Sequence, residues 1–286
     1  MRVVVTGAEG HLGRVVVARL RDERVDVVRA DRRIAGPLDE MAREVDLRDL
    51  GQVYGALAGA DAVVHLGAIP WPVGRPPEVV YANNVVGQFN VCEAAATLGI
   101  RRLVGASSVS ALGFPFQHRW SEPLYLPIDE EHPLAPQDAY GLSKANGEEI
   151  VAAYCRRGAG SAASLRFPTI LNDALYRDFL DDVRANPGGS AHYLWSYIDA
   201  RDAAEACLRA LTAPFDGHQP LYVTADDTTS DLPTDTLLER YYPAVRRSWP
   251  AGDDAAYRSL LDTGRAREIL GFQPRYSWRS TTGLSR

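Results

Sequence analysis

Short runs of β-branched and other apolar residues alternate with longer stretches of helical periodicity through the first 168 residues. Strands are predicted at residues 2–6, 25–30, 62–66, 102–106 and 164–167, with a weaker candidate at 43–46. Helices are predicted at residues 12–21, 50–58, 79–98 and 140–156. Strands that alternate with helices in this way form a parallel sheet with helices on both faces. The pattern therefore predicts an α/β fold, a doubly wound parallel sheet of the Rossmann type.

The alternation breaks in two places. Residues 113–138 hold five prolines, which indicates a long loop beside the carboxyl ends of the strands, where sheets of this class bind ligands. Beyond the Gly/Pro-rich turn at 184–190, the predicted elements are a strand at 193–198, a helix at 199–211 with Asp199 as its N-cap, a strand at 221–224 and short helices near Thr234 and Thr263. We therefore divide the chain into a dinucleotide-binding domain at 1–168 and a small C-terminal substrate-binding subdomain at 169–286, interleaved with the last sheet elements.

Composition and charge exclude several classes of function. Hydrophobic residues make up 46% of the 286 residues, which is enough for a large core. The formal net charge is -6 and no basic run is present, so no nucleic-acid partner is expected. No stretch of about 18 apolar residues runs uninterrupted, so no membrane span is expected. Cys92, Cys155 and Cys207 are few and far apart, which is typical of a reducing compartment and predicts a cytoplasmic protein.

A glycine-rich segment at residues 6–13 joins the first predicted strand to the first predicted helix. Gly7 allows a tight turn, Gly10 lets the backbone approach a pyrophosphate, and Gly13 lets the helix pack closely on the strand. The N-terminus of the helix then offers unpaired N–H groups to the phosphates. Glycines alone are compatible with an ordinary turn, so it is the position between strand and helix that predicts a dinucleotide site.

The choice of cofactor depends on the end of the second predicted strand. Asp31 lies there, 18 residues after Gly13. A carboxylate at this position accepts hydrogen bonds from both ribose hydroxyls of NAD and repels a 2′-phosphate. Arg32 and Arg33 follow directly, and arginines beside the ribose can instead accommodate the phosphate of NADP. The sequence favours NAD and leaves NADP open.

Tyr140 and Lys144 are four residues apart, so on a helix both side chains lie on one face. A nearby ammonium and a positively charged nicotinamide ring both favour the phenolate, and both lower the pKa of a tyrosine from its ordinary value of about 10. Tyr140 is therefore the candidate general acid/base for hydride transfer. Ser107 and Ser108 follow the strand at 102–106 and are candidates for binding the substrate oxygen, with capping of the next segment as their alternative role.

Taken together, these motifs resemble the extended short-chain dehydrogenase/reductase family, also called the NAD-dependent epimerase/dehydratase family. The resemblance covers nearly the whole chain and rests on Asp31 and on the segments at 6–13, 45–47, 65–68, 84–87, 106–108, 140–144, 165–167, 195–202 and 262–266. It implies an NAD-dependent enzyme on a Rossmann fold. It also implies a homodimer that forms through the helices at 79–98 and 140–156, although the apolar stripes of these helices are equally compatible with packing within one chain.

The resemblance also implies roles for individual residues. The catalytic group would be Ser108, Tyr140 and Lys144, with Lys144 also binding the nicotinamide ribose. The residues expected at the cofactor, from the motifs and the resemblance together, are Gly7, Gly10, His11, Leu12, Gly13, Asp31, Arg32, Asp46, Leu47, Leu66, Gly67, Ala68, Asn84, Tyr140, Lys144 and Pro168. The residues expected at the substrate are Ser107, Ser108 and Arg177.

Two departures from the family pattern narrow the range of expected reactions and substrates. Val109 and Ser110 stand where the sugar dehydratases of the family carry an Asp-Glu pair, which disfavours dehydration. About 30 residues separate Arg166 from Tyr197, which leaves little room to bind a nucleoside diphosphate and is similar to the compact uronate dehydrogenase branch. In that branch an arginine binds a sugar carboxylate, and Arg177 lies in a comparable place. We hypothesise that Arg177 binds an acidic or polyhydroxylated substrate, and a solvated helix arginine is an equally good interpretation.

The predicted function is reversible hydride transfer between NAD and a carbinol of a small sugar-like or acidic substrate. The alternative is an NAD-dependent sugar or nucleotide-sugar epimerase, which oxidises and re-reduces its substrate and keeps NAD tightly bound. A non-catalytic dinucleotide-binding sensor is disfavoured, because both Tyr140 and Lys144 are present. No metal site is expected, because the six histidines show no ligand spacing with acidic residues.

Overall fold

The structure is a computed structural model that describes residues 1–36, 41–249 and 255–280. Its strands are β1 (Arg2–Thr6), β2 (Asp26–Asp31), β3 (Ala42–Glu44), β4 (Ala62–His65), β5 (Arg102–Ser108), β6 (Tyr125–Leu126), β7 (Ser161–Phe167), β8 (Thr169–Leu171), β9 (Tyr197–Asp199), β10 (His218–Tyr222) and β11 (Arg246–Arg247). Seven of these strands form a parallel sheet in the order β10-β7-β5-β4-β1-β2-β3. The chain leaves β1 toward β2 and later returns to its other side with β4, and ligands bind at such a switch point.

Helices cover both faces of this sheet. They are α1 (His11–Asp22), α2 (Leu50–Leu57), α3 (Pro77–Thr97), α4 (Ala139–Arg156), α5 (Tyr176–Ala185), α6 (Ala200–Thr212), α7 (Thr234–Tyr241) and α8 (Gly264–Leu270). The helices α1 and α6 enclose a core with Val16 and Cys207 on one face, and α2, α3 and α4 enclose a second core with Val53 and Val91 on the other. In the described part of the chain, no helix combines the length and the apolar composition needed to cross a membrane.

The predicted fold class is confirmed. Each of the five main predicted strands of the first 168 residues corresponds to one of β1, β2, β4, β5 and β7, and the four predicted helices correspond to α1 to α4. The weaker candidate at 43–46 is β3, which pairs with β2 in parallel. The boundaries differ by a few residues, because the ends of elements depend on caps and on pairing partners.

The strand predicted at residues 193–198 is wrong in its first half. Residues 187–193 form a 3-10 helix, and both Leu194 and Trp195 have a positive φ, of 56° and 48°. The Trp195 indole donates a hydrogen bond of 2.8 Å to the Pro187 carbonyl, which holds the turn in place. The strand, β9, therefore begins only at Tyr197. The helix after it is α6, and Asp199 caps it as predicted.

The residues beyond 168 contribute to two layers of the molecule. β10 extends the large sheet beside β7, and α6 packs against α1. A further core joins the segment at 113–138 to the C-terminal part through Leu126, Trp195 and Leu237. Within the segment predicted as a loop, β6 pairs with β11 in parallel. The later elements are thus interleaved with the sheet, and the division of the chain at residue 168 stays a prediction.

Candidate active site

The glycine segment forms a tight turn between β1 and α1 at the carboxyl edge of the sheet. Gly7 has a φ of +68°, and a Cβ on this residue would lie 2.6 Å from the backbone N of Gly67. A Cβ on Gly13 would overlap the carbonyl oxygen of Gly7. Gly10 is the N-cap of α1 and supplies no side-chain cap, so the first N–H groups of the helix are available to a phosphate. These features fit a dinucleotide pyrophosphate.

Asp31 ends β2 beside this turn, and two backbone N–H groups fix its carboxylate. Glu9 N donates to Asp31 at 2.9 Å, and Arg32 N donates to it at 2.7 Å. The carboxylate therefore lies next to the glycine turn, where a ribose would follow the pyrophosphate. The Arg32 guanidinium donates to the Asn83 side chain at 3.0 Å and so extends toward α3.

Asp46 and Leu47 lie just after β3, at the position expected for the adenine. Arg48 donates to Asp46 from its backbone and from its guanidinium, at 2.7 Å for the closest contact, and this lowers the pKa of Asp46 to about 2. The Leu47 carbonyl accepts a hydrogen bond of 2.8 Å from Asn90, and the Leu47 side chain lies against Gly67. Asp46 is thus an anion across the physiological range, and Leu47 links the edge of the site to α3.

Leu66, Gly67 and Ala68 follow β4, and Asn84 of α3 holds the loop that continues from them. The Asn84 side chain accepts from Ile69 N at 2.8 Å, donates to the Ile69 carbonyl at 3.0 Å, and contacts the Ser143 hydroxyl at 3.1 Å. These contacts account for the burial of Asn84 and connect α3 to α4. The part of Asn84 in cofactor binding stays a prediction.

The proposed catalytic residues meet where α4 begins and β5 ends. Asp138 caps α4 and accepts from the backbone N–H groups of Tyr140 and Gly141 at 2.8 and 3.0 Å. Tyr140 is buried, and its phenol lies beside the Ser108 hydroxyl. Lys144 lies one turn further along the helix, with Nζ 5.7 Å from the centre of the Tyr140 ring. The sequence spacing therefore does bring these three side chains together.

Burial shifts both of the titrating groups toward their neutral forms. It raises the pKa of Tyr140 to about 12, and the hydrogen bond from Ser108 opposes this rise. It lowers the pKa of Lys144 to about 8, and the negative charge of Glu148 opposes this fall. Tyr140 is therefore a neutral phenol near neutral pH in this structure.

The two neighbouring serines have different surroundings. Ser108 faces Tyr140 and also accepts a hydrogen bond of 3.1 Å from Ser110 N, so the catalytic candidate caps the next turn as well. Ser107 instead donates to Glu148 at 2.5 Å. The hydroxyl of Ser107 is thus engaged behind the site, and its predicted contact with substrate finds no support in this arrangement.

Residues after β7 form the other wall of the site. Pro168 lies between β7 and β8, at the carboxyl edge of the sheet. His11 approaches this wall, with Nε2 3.2 Å from the Ile170 carbonyl. Arg177 is exposed in the first turn of α5, and it has no ion-pair partner among the residues that the structure describes. Its neighbour Tyr176 is buried and donates to Asp199 at 2.9 Å, so Arg177 is the member of the pair that is accessible.

Three residues of this region were not predicted from the sequence. Asp138 could have been found, since an aspartate directly before a helical segment is a common N-cap. Glu148 shares the helix face of Lys144 at the same spacing of four. Phe116 stands edge-on to Tyr140, with ring centroids 6.3 Å apart, and it has a φ of 58°. No signal in the sequence predicts that contact, because it depends on how the long loop turns.

A model of the NAD dependent epimerase/dehydratase family matches residues 3–224, which is more than half of the chain. The chain belongs to this family. The match extends from the glycine turn through the Tyr140 and Lys144 helix to the end of β10. The family that the motifs resemble is therefore confirmed. In the described residues no cluster of three His, Cys, Asp or Glu side chains is arranged to hold a metal ion.

Several members of this family resemble the chain over most of its length. A uronate dehydrogenase from Pseudomonas syringae pv. tomato is 29% identical over 231 residues, which is 80% of this chain and 76% of that protein. An L-arabinose 1-dehydrogenase (NAD(P)(+)) from Haloferax volcanii is 30% identical over 280 residues, or 96% of each chain. A short-chain dehydrogenase/reductase superfamily protein from Agrobacterium tumefaciens, solved with bound NAD, is 26% identical with a TM-score of 0.73, over 97% of this chain and 93% of that one.

Proposed function

We propose that the protein is an NAD-dependent dehydrogenase that transfers a hydride between its cofactor and a carbinol of a small sugar-like or acidic substrate. The observation that carries the proposal is the contact of Ser108, Tyr140 and Lys144 beside the glycine turn. Relatives named as uronate and L-arabinose dehydrogenases support both the reaction and the class of substrate.

The cofactor would be held by backbone and by one carboxylate. The glycine turn and the N-terminus of α1 would bind the pyrophosphate, and Asp31 would accept from the ribose hydroxyls. His11, Leu12, Asp46, Leu47, the residues at 66–68 and Pro168 line the rest of the predicted path. Asp31 favours NAD, because a 2′-phosphate would meet its negative charge. NADP is the second candidate, since Arg32 is adjacent and the relative from Haloferax volcanii is named for both cofactors.

Each catalytic side chain then has one task. Bound nicotinamide supplies the hydride acceptor or donor. Ser108 donates a hydrogen bond to the reacting oxygen and keeps it beside the phenol. Tyr140 takes the hydroxyl proton during oxidation and returns it during reduction. Lys144, as a cation, favours the phenolate form of Tyr140 and contacts the nicotinamide ribose.

The proposal is tested by measuring NADH formation with free uronates, aldoses and polyols, each supplied with NAD or NADP. We expect turnover with at least one uronate or aldose, and we expect Tyr140→Phe to reduce kcat by about a hundredfold or more, because proton transfer loses its acceptor. Tyr54→Phe is the matched control, since Tyr54 lies on α2 and bonds to Thr97, away from the site. A Tyr140→Phe enzyme with full kcat on every substrate would rule out the assigned role.

An epimerase is the second candidate, because the same residues serve a reaction in which the cofactor is not consumed. It would purify with NAD bound, show no net NADH formation on any substrate of the panel, and interconvert two sugars. The sensor hypothesis ranks third and predicts NAD binding with no turnover of either kind.

We also propose that the protein forms a homodimer through α3 and α4. Val79, Val86 and Phe89 are exposed at a helical spacing of seven and three, so they lie on one face of α3. Leu142 is exposed on α4, and α3 and α4 pack against each other. Several exposed apolar residues on two adjacent helices favour a protein interface at this surface.

The proposed location is the cytoplasm. The three cysteines are free, and Cys92 and Cys207 are buried among apolar side chains. Burial raises the pKa of both thiols to about 12, so they stay protonated and unreactive. A chain without disulfide pairs fits a reducing compartment.

A further inference from the structure

Helix α4 carries a stripe of three side chains, one turn apart, that face the end of β5. The three contacts are Tyr140 with the Ser108 hydroxyl, Lys144 Nζ with the Ala106 carbonyl at 2.8 Å, and Glu148 with the Ser107 hydroxyl at 2.5 Å. Tyr140 and Lys144 belong to the proposed catalytic group. Glu148 lies one turn further along the helix and is not part of that group.

Glu148 is a buried carboxylate that is paired with Arg166 and hydrogen-bonded to Ser107. Its side chain is 7% exposed and that of Arg166, on β7, is 4% exposed. Arg166 Nε and Nη2 donate to the two carboxylate oxygens at 2.9 and 2.8 Å, and Ser107 supplies a third hydrogen bond. Replacing such a pair by apolar residues of similar volume often leaves stability unchanged or higher. Stability alone therefore does not account for a buried ion pair at this position.

Among the groups around Lys144, Glu148 is the carboxylate whose negative charge favours the protonated lysine. Lys144 and Glu148 line one small polar cavity between α3, α4, β4 and β5. The titratable and charged groups around the stripe are Tyr140 and Glu148 on α4, His65 on β4, Arg166 on β7, His218 and Tyr222 on β10, and Asp138 and Glu130 of the loop. Burial and the charge of Lys144 lower the pKa of His65 to about 3, so His65 is neutral beside the lysine.

We propose that Glu148, held in place by Arg166 and Ser107, is a positioning residue that keeps Lys144 protonated beneath Tyr140. The inference rests on the proposed roles of Tyr140 and Lys144. Burial alone drives a lysine toward the neutral amine, and a neutral amine does not stabilise a phenolate. The carboxylate one turn away opposes that effect. Arg166 fixes the carboxylate through two hydrogen bonds and offsets part of its negative potential, so that Glu148 acts on Lys144 without a direct ion pair between them.

The sign of the effect follows from the charges. Removing the Glu148 carboxylate leaves desolvation unopposed and leaves the cation of Arg166 unpaired, and both lower the pKa of Lys144. Lys144 then loses its proton at a lower pH than in the wild-type protein. Catalysis that depends on the Lys144 cation is expected to fall off at a correspondingly lower pH, while activity on the acidic side of the profile changes less.

The sequence offers a direct way to measure this, because Lys144 is the only lysine in the chain. Biosynthetic labelling with ε-¹³C-lysine gives a single side-chain resonance, and its pH titration reports Lys144 alone. In the wild-type protein we expect a midpoint near the pKa of about 8. In Glu148→Gln we expect the midpoint to fall by about one pH unit.

Two further variants separate electrostatics from packing. Glu205→Gln is the matched control: it removes a carboxylate that pairs with Arg19 and Arg209 on the opposite face of the sheet, so the midpoint of Lys144 should not move. Should Glu148→Gln fail to fold, the double variant Glu148→Gln/Arg166→Met leaves no unpaired buried charge and should still lower the midpoint. A folded variant without Glu148 that keeps the wild-type midpoint overturns the proposal.

The titration needs no turnover, so it separates this inference from the proposed function. A silent substrate panel with a lowered Lys144 midpoint in Glu148→Gln would reject the dehydrogenase and keep the role of Glu148. An active wild-type enzyme whose midpoint does not respond to Glu148→Gln would keep the dehydrogenase and reject the inference.

Discussion

Burial in the same site shifts the pKa values of Tyr140 and Lys144 in opposite directions. Burial raises the pKa of Tyr140 to about 12 and lowers that of Lys144 to about 8, so each group is moved toward neutrality. Oxidation of a carbinol instead needs the tyrosine as a phenolate, which can accept the hydroxyl proton of the substrate. The positive charge of an oxidised nicotinamide favours that ionisation, and it disappears on reduction. In the proposed reaction, proton acceptance by Tyr140 is thereby tied to the redox state of the cofactor.

Arg177 is the residue on which discrimination among substrates is expected to depend. A planar guanidinium binds a carboxylate through two parallel hydrogen bonds, whereas a neutral sugar offers only hydroxyls. We expect Arg177→Ala to raise KM for a uronate by about tenfold or more and to leave KM for a neutral aldose within about twofold. The kinetic constants of the two substrates, measured side by side, check this.

The comparison needs a second exposed arginine. Arg240 lies on α7, over the ring of Tyr241, and Arg240→Ala should change neither constant. An equal loss for the uronate and the aldose in Arg177→Ala would show a general effect on the wall of the site and would contradict recognition of the carboxylate.

At the scale of elements, helix α4 is the most important for the proposed activity, because its first two turns carry both Tyr140 and Lys144. Asp138 caps this helix through two backbone N–H groups. We expect Asp138→Ala to lower the free energy of unfolding by about 1 kcal/mol and to reduce kcat, since the turn that holds Tyr140 loosens. Denaturant unfolding and steady-state kinetics measure the two effects.

Asp49 provides the matched case. It caps α2 in the same way, accepting from Gln52 N at 3.0 Å, and α2 carries no proposed catalytic group. Asp49→Ala should cost a similar free energy of unfolding and leave kcat unchanged. Equal losses of kcat in the two variants would mean that general stability, and not the cap of α4, limits the activity.

The elements also show what the sequence alone could and could not predict. β1, β2, β4, β5 and β7 were predictable because buried parallel strands are short continuous apolar runs. The segment at 187–195 was not, because Trp195 adopts a positive φ to reach the Pro187 carbonyl, a contact that local propensity does not encode. The turn and the α4 residues of the site lie within short motifs and could be predicted together.

Contacts across the fold set the limit of that reasoning. Glu148 meets Arg166 only because α4 crosses β7, and Phe116 meets Tyr140 only because the loop at 113–138 folds back over the helix. Neither pair is close in sequence. Ser107 and Ser108 show the same limit, because they are adjacent in β5 and yet contact different residues, Glu148 and Tyr140.

At the scale of the whole molecule, the apolar face of α3 and α4 predicts the state of assembly. Phe89 is 48% exposed, the largest and most exposed of the three apolar residues on this face of α3. A glutamate there would place a charge in the apolar core of a dimer interface, so we expect Phe89→Glu to convert a dimeric wild-type protein to monomer. Sedimentation velocity distinguishes the two species.

Leu124→Glu is the control, because Leu124 is even more exposed, at 65%, but lies in the loop at 113–138 and not on α3. It should sediment like the wild-type protein. A wild-type protein that is already monomeric, or a Phe89→Glu variant that remains dimeric, would show that this face is not the interface.

The single lysine has a practical consequence for anyone who handles the protein. Amine-directed dyes, resins and cross-linkers normally scatter over many surface lysines, but here the only side-chain amine lies inside the cleft, half-buried against the Ala106 carbonyl. Because Lys144 is a proposed catalytic residue, we expect side-chain labelling to inactivate the enzyme. The same reaction can be used as an assay. We expect bound cofactor to protect Lys144, so the fraction of molecules that gain no mass at Lys144 measures the occupancy of the proposed cofactor site.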